Sequence, residues 1–286
     1  MGTQTRQTLK GWLLASPLVV ILSIFLVLPV IAIVVVSFWG STAYSYYPDF
    51  QFENYTFLLT SSVTLSVYLK TFMFTAITWL LCFLIGFTVA YFLAFHIRSL
   101  PVQILLFMIC TVPFWTSNII RMISWIPFLG RNGIANNTLL SMGLIDQPLE
   151  WLLFSEFAVI LAFVHLFTLF MIVPVFNSMM RIDRSLIEAA RDAGASGWQI
   201  LTNVILPLTK PGIMIGSIFV VTLVMGDFIT VRFMSGGQSA SVGRVISNEI
   251  GLLQYPAASA SAVVLLITVL LMISIMLKFV DIRKEL

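Results

Sequence analysis

At 286 residues the chain is long enough for one or two soluble domains, yet hydrophobic residues make up 59% of it and charged residues 9%, too few to cover a water-facing surface. Its net charge of +3 comes from single lysines and arginines scattered between apolar runs. That pattern excludes a nucleic-acid-binding face and makes the basic residues markers of membrane topology instead.

Residues 1–11 are a polar head with Arg6 and Lys10. From Trp12 to Phe38 no charge interrupts the chain. This is far longer than the core of a cleavable signal peptide and predicts a first transmembrane helix over 12–39, with Trp12 and Trp39 as interfacial anchors. Pro17 and Pro29 lie inside it and are bending positions whose freed carbonyls neighbouring helices must satisfy. Residues 40–66, rich in Tyr44, Tyr46, Tyr47, Asp49, Glu53 and Tyr55, read as an external loop with a short surface helix.

Five more spans are predicted over about 67–95, 102–121, 154–176, 209–231 and 257–280, making a membrane domain of 67–280 and a tail of 281–286. His96, Arg98 and Pro101 mark the turn after the second span. Residues 122–152, with Gly130-Arg131-Asn132-Gly133 and Asp146-Gln147-Pro148, read as an external segment of short helices and turns. Lys210-Pro211 opens the fifth span, where proline suits a first helical turn. Cys82 and Cys110 lie in apolar runs and read as small packed hydrophobes. His96 reads as an interfacial loop residue and His165 as a packed, hydrogen-bonded one, since neither has metal-ligand spacing.

Six spans leave both termini on one side. Arg6, Lys10, Arg98, Arg181, Arg184, Arg191, Lys210, Lys278, Arg283 and Lys284 share that side, whereas Lys70, Arg121, Arg131, Arg232 and Arg244 lie opposite. The excess places the termini and the 181–207 loop in the cytoplasm.

That loop is the longest charge-dense segment in the chain. Ser185 and Glu188 stand in S-x-x-E order and Ser196 and Gln199 in S-x-x-Q order, which predicts two capped helix starts. Gly194 between them supplies a helix stop, and Pro207 is expected to end the second helix. Glu188-Ala189-Ala190, then Gly194, then Ile205-Leu206-Pro207, resembles the EAA loop of the membrane subunits of bacterial ABC importers. In that family the loop sits in a groove of the ATP-hydrolysing subunit. The resemblance implies a coupling role for Ser185, Leu186, Glu188, Ala189, Ala190, Asp192, Gly194, Ser196 and Pro207; the plainer reading is a solvated connector.

A second polar cluster closes the third span. Trp115, Asn118, Arg121 and Trp125 gather there, the last three at helical spacing on one face. They read either as lining a translocation pathway or as an interfacial belt of Trp and Arg. In the fifth span Asp227 lies sixteen residues past Pro211, roughly 24 Å along a helix. A carboxylate in a bilayer costs up to about 3 kcal/mol at the centre, so it faces water or protein. It is either a pathway residue attracting a cation or the partner of an arginine such as Arg121 or Arg232. Gly212 and Gly216 form a small-xxx-small stripe expected to pack against another helix.

Val112-Pro113-Phe114-Trp115-Thr116-Ser117-Asn118-Ile119-Ile120-Arg121, Gly226-Asp227-Phe228-Ile229-Thr230 and Met234-Ser235-Gly236-Gly237, together with 186–194, resemble the permease subunits of spermidine/putrescine-type ABC importers. The likeness runs from about residue 60 to 280 and departs at Val231-Arg232, where the family often has proline, and at the slight loop 237–243. It implies an all-α integral membrane protein of six transmembrane helices with the type I importer permease fold. It also implies alternating-access import of a small cation such as a polyamine. The implied partners are a second, non-identical permease, two copies of an ATP-binding subunit, an external substrate-binding protein and the lipid bilayer, with no nucleic acid. The rivals are another amine, an opine-like or amino-acid-derived solute, or an anion in the same importer class, and more remotely an ATP-independent transporter or channel. The chain has no G-x-x-x-x-G-K-[ST] and no catalytic constellation, so it is expected to be no enzyme and to bind no cofactor; ATP and Mg belong to the partner.

Overall fold

The computed structural model describes residue 14 and residues 16–42 and 45–278. The predicted polar head 1–11, the start of the first span at Trp12, Tyr44 in the external loop, the end of the sixth span and the tail 281–286 lie outside the described residues. Among the described residues every regular element is a helix apart from one two-stranded hairpin. It falls into two compact units, one of residues up to 61 together with 245–266, the other of residues 62–244 together with those after 266.

In the first unit, α1 (Ser16–Val36) stops three residues short of the predicted Trp39, because Ser37 turns the chain. Its backbone widens into a π-helical turn at Ser23–Val27, just before Pro29, which accommodates the amide that proline lacks. Strands β1 (Gly40–Ser41) and β2 (Tyr46–Tyr47) pair antiparallel. Next comes the predicted surface helix, α2 (Glu53–Thr60). Asn54 Nδ2 donates to the carbonyls of Ser37 and Trp39, both at 3.0 Å, and Phe38 meets the rings of Phe50, Phe52 and Tyr55, so α2 is tied to the end of α1.

The second unit is built on three helices: α3 (Ser62–His96), α8 (Glu156–Met180) and α11 (Lys210–Gly226). Helix α3 begins five residues before the predicted Val67, taking its first turn from the supposed loop. Helix α8 is the hub. Its Val159, Ala162, Phe163, Met171 and Val175 are buried, and Phe163 packs edge-on against Phe74 of α3. The glycine stripe behaves as expected. A Cβ on Gly212 would overlap the Pro174 carbonyl oxygen and the Ser178 hydroxyl, and one on Gly216 would meet Met171 Sδ at 2.7 Å, so α11 approaches α8 backbone to backbone. Trp79 Nε1 donates to Ser217 Oγ at 2.8 Å, joining α3 to α11.

Two predicted spans are not single helices. Helix α4 (Leu100–Thr111) continues as a 3₁₀ turn at Val112–Trp115, then breaks at Thr116-Ser117. The chain departs at 91° through α5 (Asn118–Ile123), α6 (Trp125–Leu129) and α7 (Ile134–Ser141). Proline at 113 and the three short polar side chains that follow, which hydrogen-bond locally, explain the break. The fifth span likewise ends at Gly226, not 231, and restarts after Asp227-Phe228 as α12 (Ile229–Met234). The supposed loop after it contains a further helix, α13 (Val242–Gly251), which precedes α14 (Tyr255–Lys278). Among the described residues four helices are long and apolar enough to cross a membrane, or six if each bent pair counts as one span.

Candidate functional site

The polar loop folds as two helices, α9 (Arg184–Asp192) and α10 (Gly197–Leu208). The first predicted cap is corrected. Asp183, not Ser185, caps α9: its Oδ1 accepts the Ser185 N–H at 2.9 Å. The helix starts two residues earlier than the S-x-x-E spacing implied, which leaves Ser185 inside the first turn. The second capping box forms as expected, with Ser196 N–H on Gln199 Oε1 at 2.7 Å and Gln199 N–H on Ser196 Oγ at 3.3 Å. Between them Gly194 adopts φ +83°. Its N–H donates to the Arg191 carbonyl and the Ala195 N–H to that of Ala190, the paired bonds of a Schellman stop.

Pro207 does not end α10. A π-helical turn at Leu201–Ile205 precedes it, and the helix runs on to Leu208 before bending by 66° into α11. Ile187, Ile200 and Ile205 are buried and anchor the pair. Leu186, Glu188, Ala189, Asp192, Gly194, Ser196 and Pro207 are exposed and Ala190 is half-buried. Trp198 is 71% exposed, a large apolar side chain at the start of α10. The arrangement is an exposed surface ordered by its two caps.

The Ser185 backbone N–H holds the Asp183 carboxyl below its ordinary value of 3.8. A carboxyl lowered by folding contributes stability above that value and loses it as the pH falls through the lowered one. The protection factor of the Ser185 amide against exchange is therefore expected to fall on acidification below pH 3.8, and Asp183→Ala to show the low protection at neutral pH. A protection factor that does not change with pH in the native chain would count against the cap.

The second group of candidates is divided by the fold. Arg121 is buried and its Nη2 donates to Asn118 Oδ1 one turn back, so these two do share a face, whereas its Nε is buried without a hydrogen bond. Trp125 lies beyond the end of α5, so the predicted common face stops at Arg121. Its indole Nε1 donates to His165 Nδ1 on α8 at 3.0 Å, which supplies the hydrogen bond expected for His165. Trp115 is 86% exposed and lines an open cavity of about 460 Å³. Phe107, Thr111, Phe114, Phe170, Pro174 and Phe219 also line it, and this aromatic chamber was not foreseen. Asn118, Arg121, Trp125 and Asp227 are not in its wall.

Asp227 sits at the break between α11 and α12, where its Oδ1 accepts the Thr230 N–H at 2.7 Å. No ion pair among the described residues includes it. Those that form are Lys70–Glu156 at 2.8 Å and Arg131–Glu150 at 3.4 Å. The arginine-partner alternative for Asp227 therefore gives way to a helix-capping one. The Lys70–Glu156 pair also went unseen, because 86 residues separate its members. No group of three metal-ligating side chains occurs among the described residues.

Residues 83–283 match the family described as binding-protein-dependent transport system inner membrane component. The chain is 36% identical over 188 residues to the spermidine/putrescine transport system permease protein PotB of Salmonella typhimurium strain SL1344, covering 65% of each chain. It is 38% identical over 170 residues to PotB of Haemophilus influenzae, covering 59% of each. The match thus spans about 65% of the length of the first of these relatives and less of the second. The fold is similar to that of a chain in the crystal structure of a bacterial alginate ABC transporter in complex with an alginate pentasaccharide-bound periplasmic protein. There the TM-score is 0.77 at 18% identity, over 95% of this chain and 94% of that one. With the family matched over most of its length, its long apolar helices and the ordered polar loop between α8 and α11, the chain belongs to the binding-protein-dependent transport system inner membrane components.

Proposed function

We propose that the chain is one of two non-identical permease subunits of an ATP-driven importer that carries polyamines of the spermidine and putrescine class across the inner membrane by alternating access. The observation that carries this reading is the 36% identity to a spermidine/putrescine permease over 188 residues, a stretch long enough to take in most of the second unit. In this reading there are six spans, α4 and α11 being the membrane-crossing arms of the two bent pairs, with both termini and the α9–α10 loop cytoplasmic. The exposed face from Ser185 to Ser196 docks on an ATP-binding subunit, two copies of which use ATP and Mg. The external segments near 40–66, 122–152 and 232–256 receive the loaded binding protein. The aromatic chamber under Trp115 supports passage of an alkylammonium chain, since ring faces attract cations and hydrocarbon suits its methylenes. Asp227 supplies the negative charge.

A second reading, an anionic or amino-acid-derived cargo, is favoured by Arg121, a buried guanidinium with no carboxylate partner among the described residues. Both readings meet in one experiment: uptake of radiolabelled spermidine and putrescine by proteoliposomes holding the two permeases, the ATPase and the binding protein. Saturable, ATP-dependent uptake is expected, with KM raised about tenfold in Asp227→Asn, equivalent to about 1.4 kcal/mol. Binding-protein-stimulated ATPase activity without polyamine uptake would sink the cargo assignment and leave the importer class standing.

A further inference from the structure

The segment between α12 and α13 is held at more points than a connector requires, and two of them meet at the Asp227 carbonyl. Ser241 Oγ donates to the Asp227 carbonyl at 3.1 Å and accepts the Arg244 N–H at 3.2 Å, so one hydroxyl starts α13 and fixes the α11–α12 break. Gly243 in the same turn lies so close that a Cβ there would stand 3.0 Å from the Gly226 carbonyl oxygen and 3.1 Å from that of Asp227. Between them the Val242 N–H donates to Thr71 Oγ1 of α3 at 3.1 Å, a buried bond. The far end of the segment is tied down separately. Ser239 Oγ donates to Glu156 Oε1 at 3.2 Å, the same oxygen that receives Lys70 Nζ. Within it Ser235 Oγ donates to the Ser239 carbonyl, and Gly236 takes φ +58° against the Phe154 ring.

The Lys70 and Glu156 side chains are 40% and 42% exposed, and a pair that open contributes little stability by itself. Its effect is geometric: it fixes where Ser239 lies. Capping then sets the direction of the carboxylate, because the Thr230 N–H can bind Oδ1 only while the Asp227 backbone keeps its place. We propose that Ser241 and Gly243 are positioning residues for the Asp227 carboxylate, with Glu156 as the outer anchor of the segment that carries them. The segment lies between two short helices of the external face in the proposed topology, so a protein docking there acts on the pathway carboxylate through its backbone. This rests on Asp227 being a pathway residue.

The test uses the complete reconstituted complex with Ser241→Ala, Ser241→Thr and Asp227→Asn, all checked for normal abundance. Two quantities are read: hydrogen exchange over the 227–231 segment, and KM against Vmax for spermidine uptake. Ser241→Ala is expected to speed exchange and raise KM about fivefold to tenfold at similar Vmax, with Ser241→Thr, which keeps the hydroxyl, close to native. Combined with Asp227→Asn, Ser241→Ala is expected to add nothing to KM, as groups acting through one another do. Unchanged exchange in Ser241→Ala, or additive effects on KM, overturns the positioning role. Faster exchange with KM unmoved in both Ser241→Ala and Asp227→Asn instead overturns the pathway role of Asp227 and leaves the positioning intact.

Discussion

Gly194→Asp is expected to reach the membrane in normal amounts and to lower ATP-driven uptake about a hundredfold or more. The backbone there is at φ +83°, where an ordinary L-residue costs about 1–2 kcal/mol and aspartate is among the better tolerated. A Cβ at this position meets nothing within 4 Å, so the new carboxylate points into solvent from the middle of the exposed face. Folding is lightly taxed while docking of a partner meets a charge where backbone lay flat. Gly194→Asn imposes similar backbone strain without the charge and is expected to keep most of the uptake. Normal transport by Gly194→Asp would remove the coupling role of this loop; equal losses in both variants would place the effect in the turn, not in its charge.

Gly212→Ala is expected to have the largest effect on stability. The new methyl overlaps a main-chain oxygen, that of Pro174, and the Ser178 side chain beside it, and neither can rotate away far enough. Helices α8 and α11 must part, which costs about 3 kcal/mol or more in a closely packed interior. Gly216→Ala meets Met171 first at its sulfur, the far end of a flexible side chain, and is expected to cost about 1 kcal/mol. Thermal melts of the purified chain in detergent, with the folded yield of each variant, rank the two; a Gly212→Ala chain as stable as Gly216→Ala would contradict the backbone contact.

Much of the architecture was legible because lipid imposes long apolar runs, and a run long enough to cross a bilayer has few other readings. Local hydrogen-bond chemistry was legible where one solution was available. Ser196 and Gln199 had no competitor and formed the box; Ser185 had one in Asp183, two residues away, and lost the cap to it. What stayed hidden was direction. Apolar residues resume directly after Thr116-Ser117 with Ile119 and Ile120, so the pattern does not announce the 91° turn there, nor that Trp125 meets His165. Asp227 was rightly singled out as a charge needing explanation, but its partner proved to be an amide three residues on, not a distant arginine. The Lys70–Glu156–Ser239 contact joins three separate stretches and has no local signature at all.

The bend at Thr209 has a mechanical consequence. Thr209 braces it on both sides: its N–H reaches the Ile205 carbonyl at 2.9 Å, the Ile213 N–H reaches the Thr209 carbonyl at 3.0 Å, and the buried Thr209 hydroxyl adds a bond to Ile205 at 2.8 Å. Helices α10 and α11 are therefore a crank with a stiff elbow. The arm from Gly197 to Leu208 is about 18 Å long at 1.5 Å per residue. A push of about 3 Å at its Gly197 end corresponds to about 10° of turning about the elbow, torque delivered to the helix whose far end is Asp227.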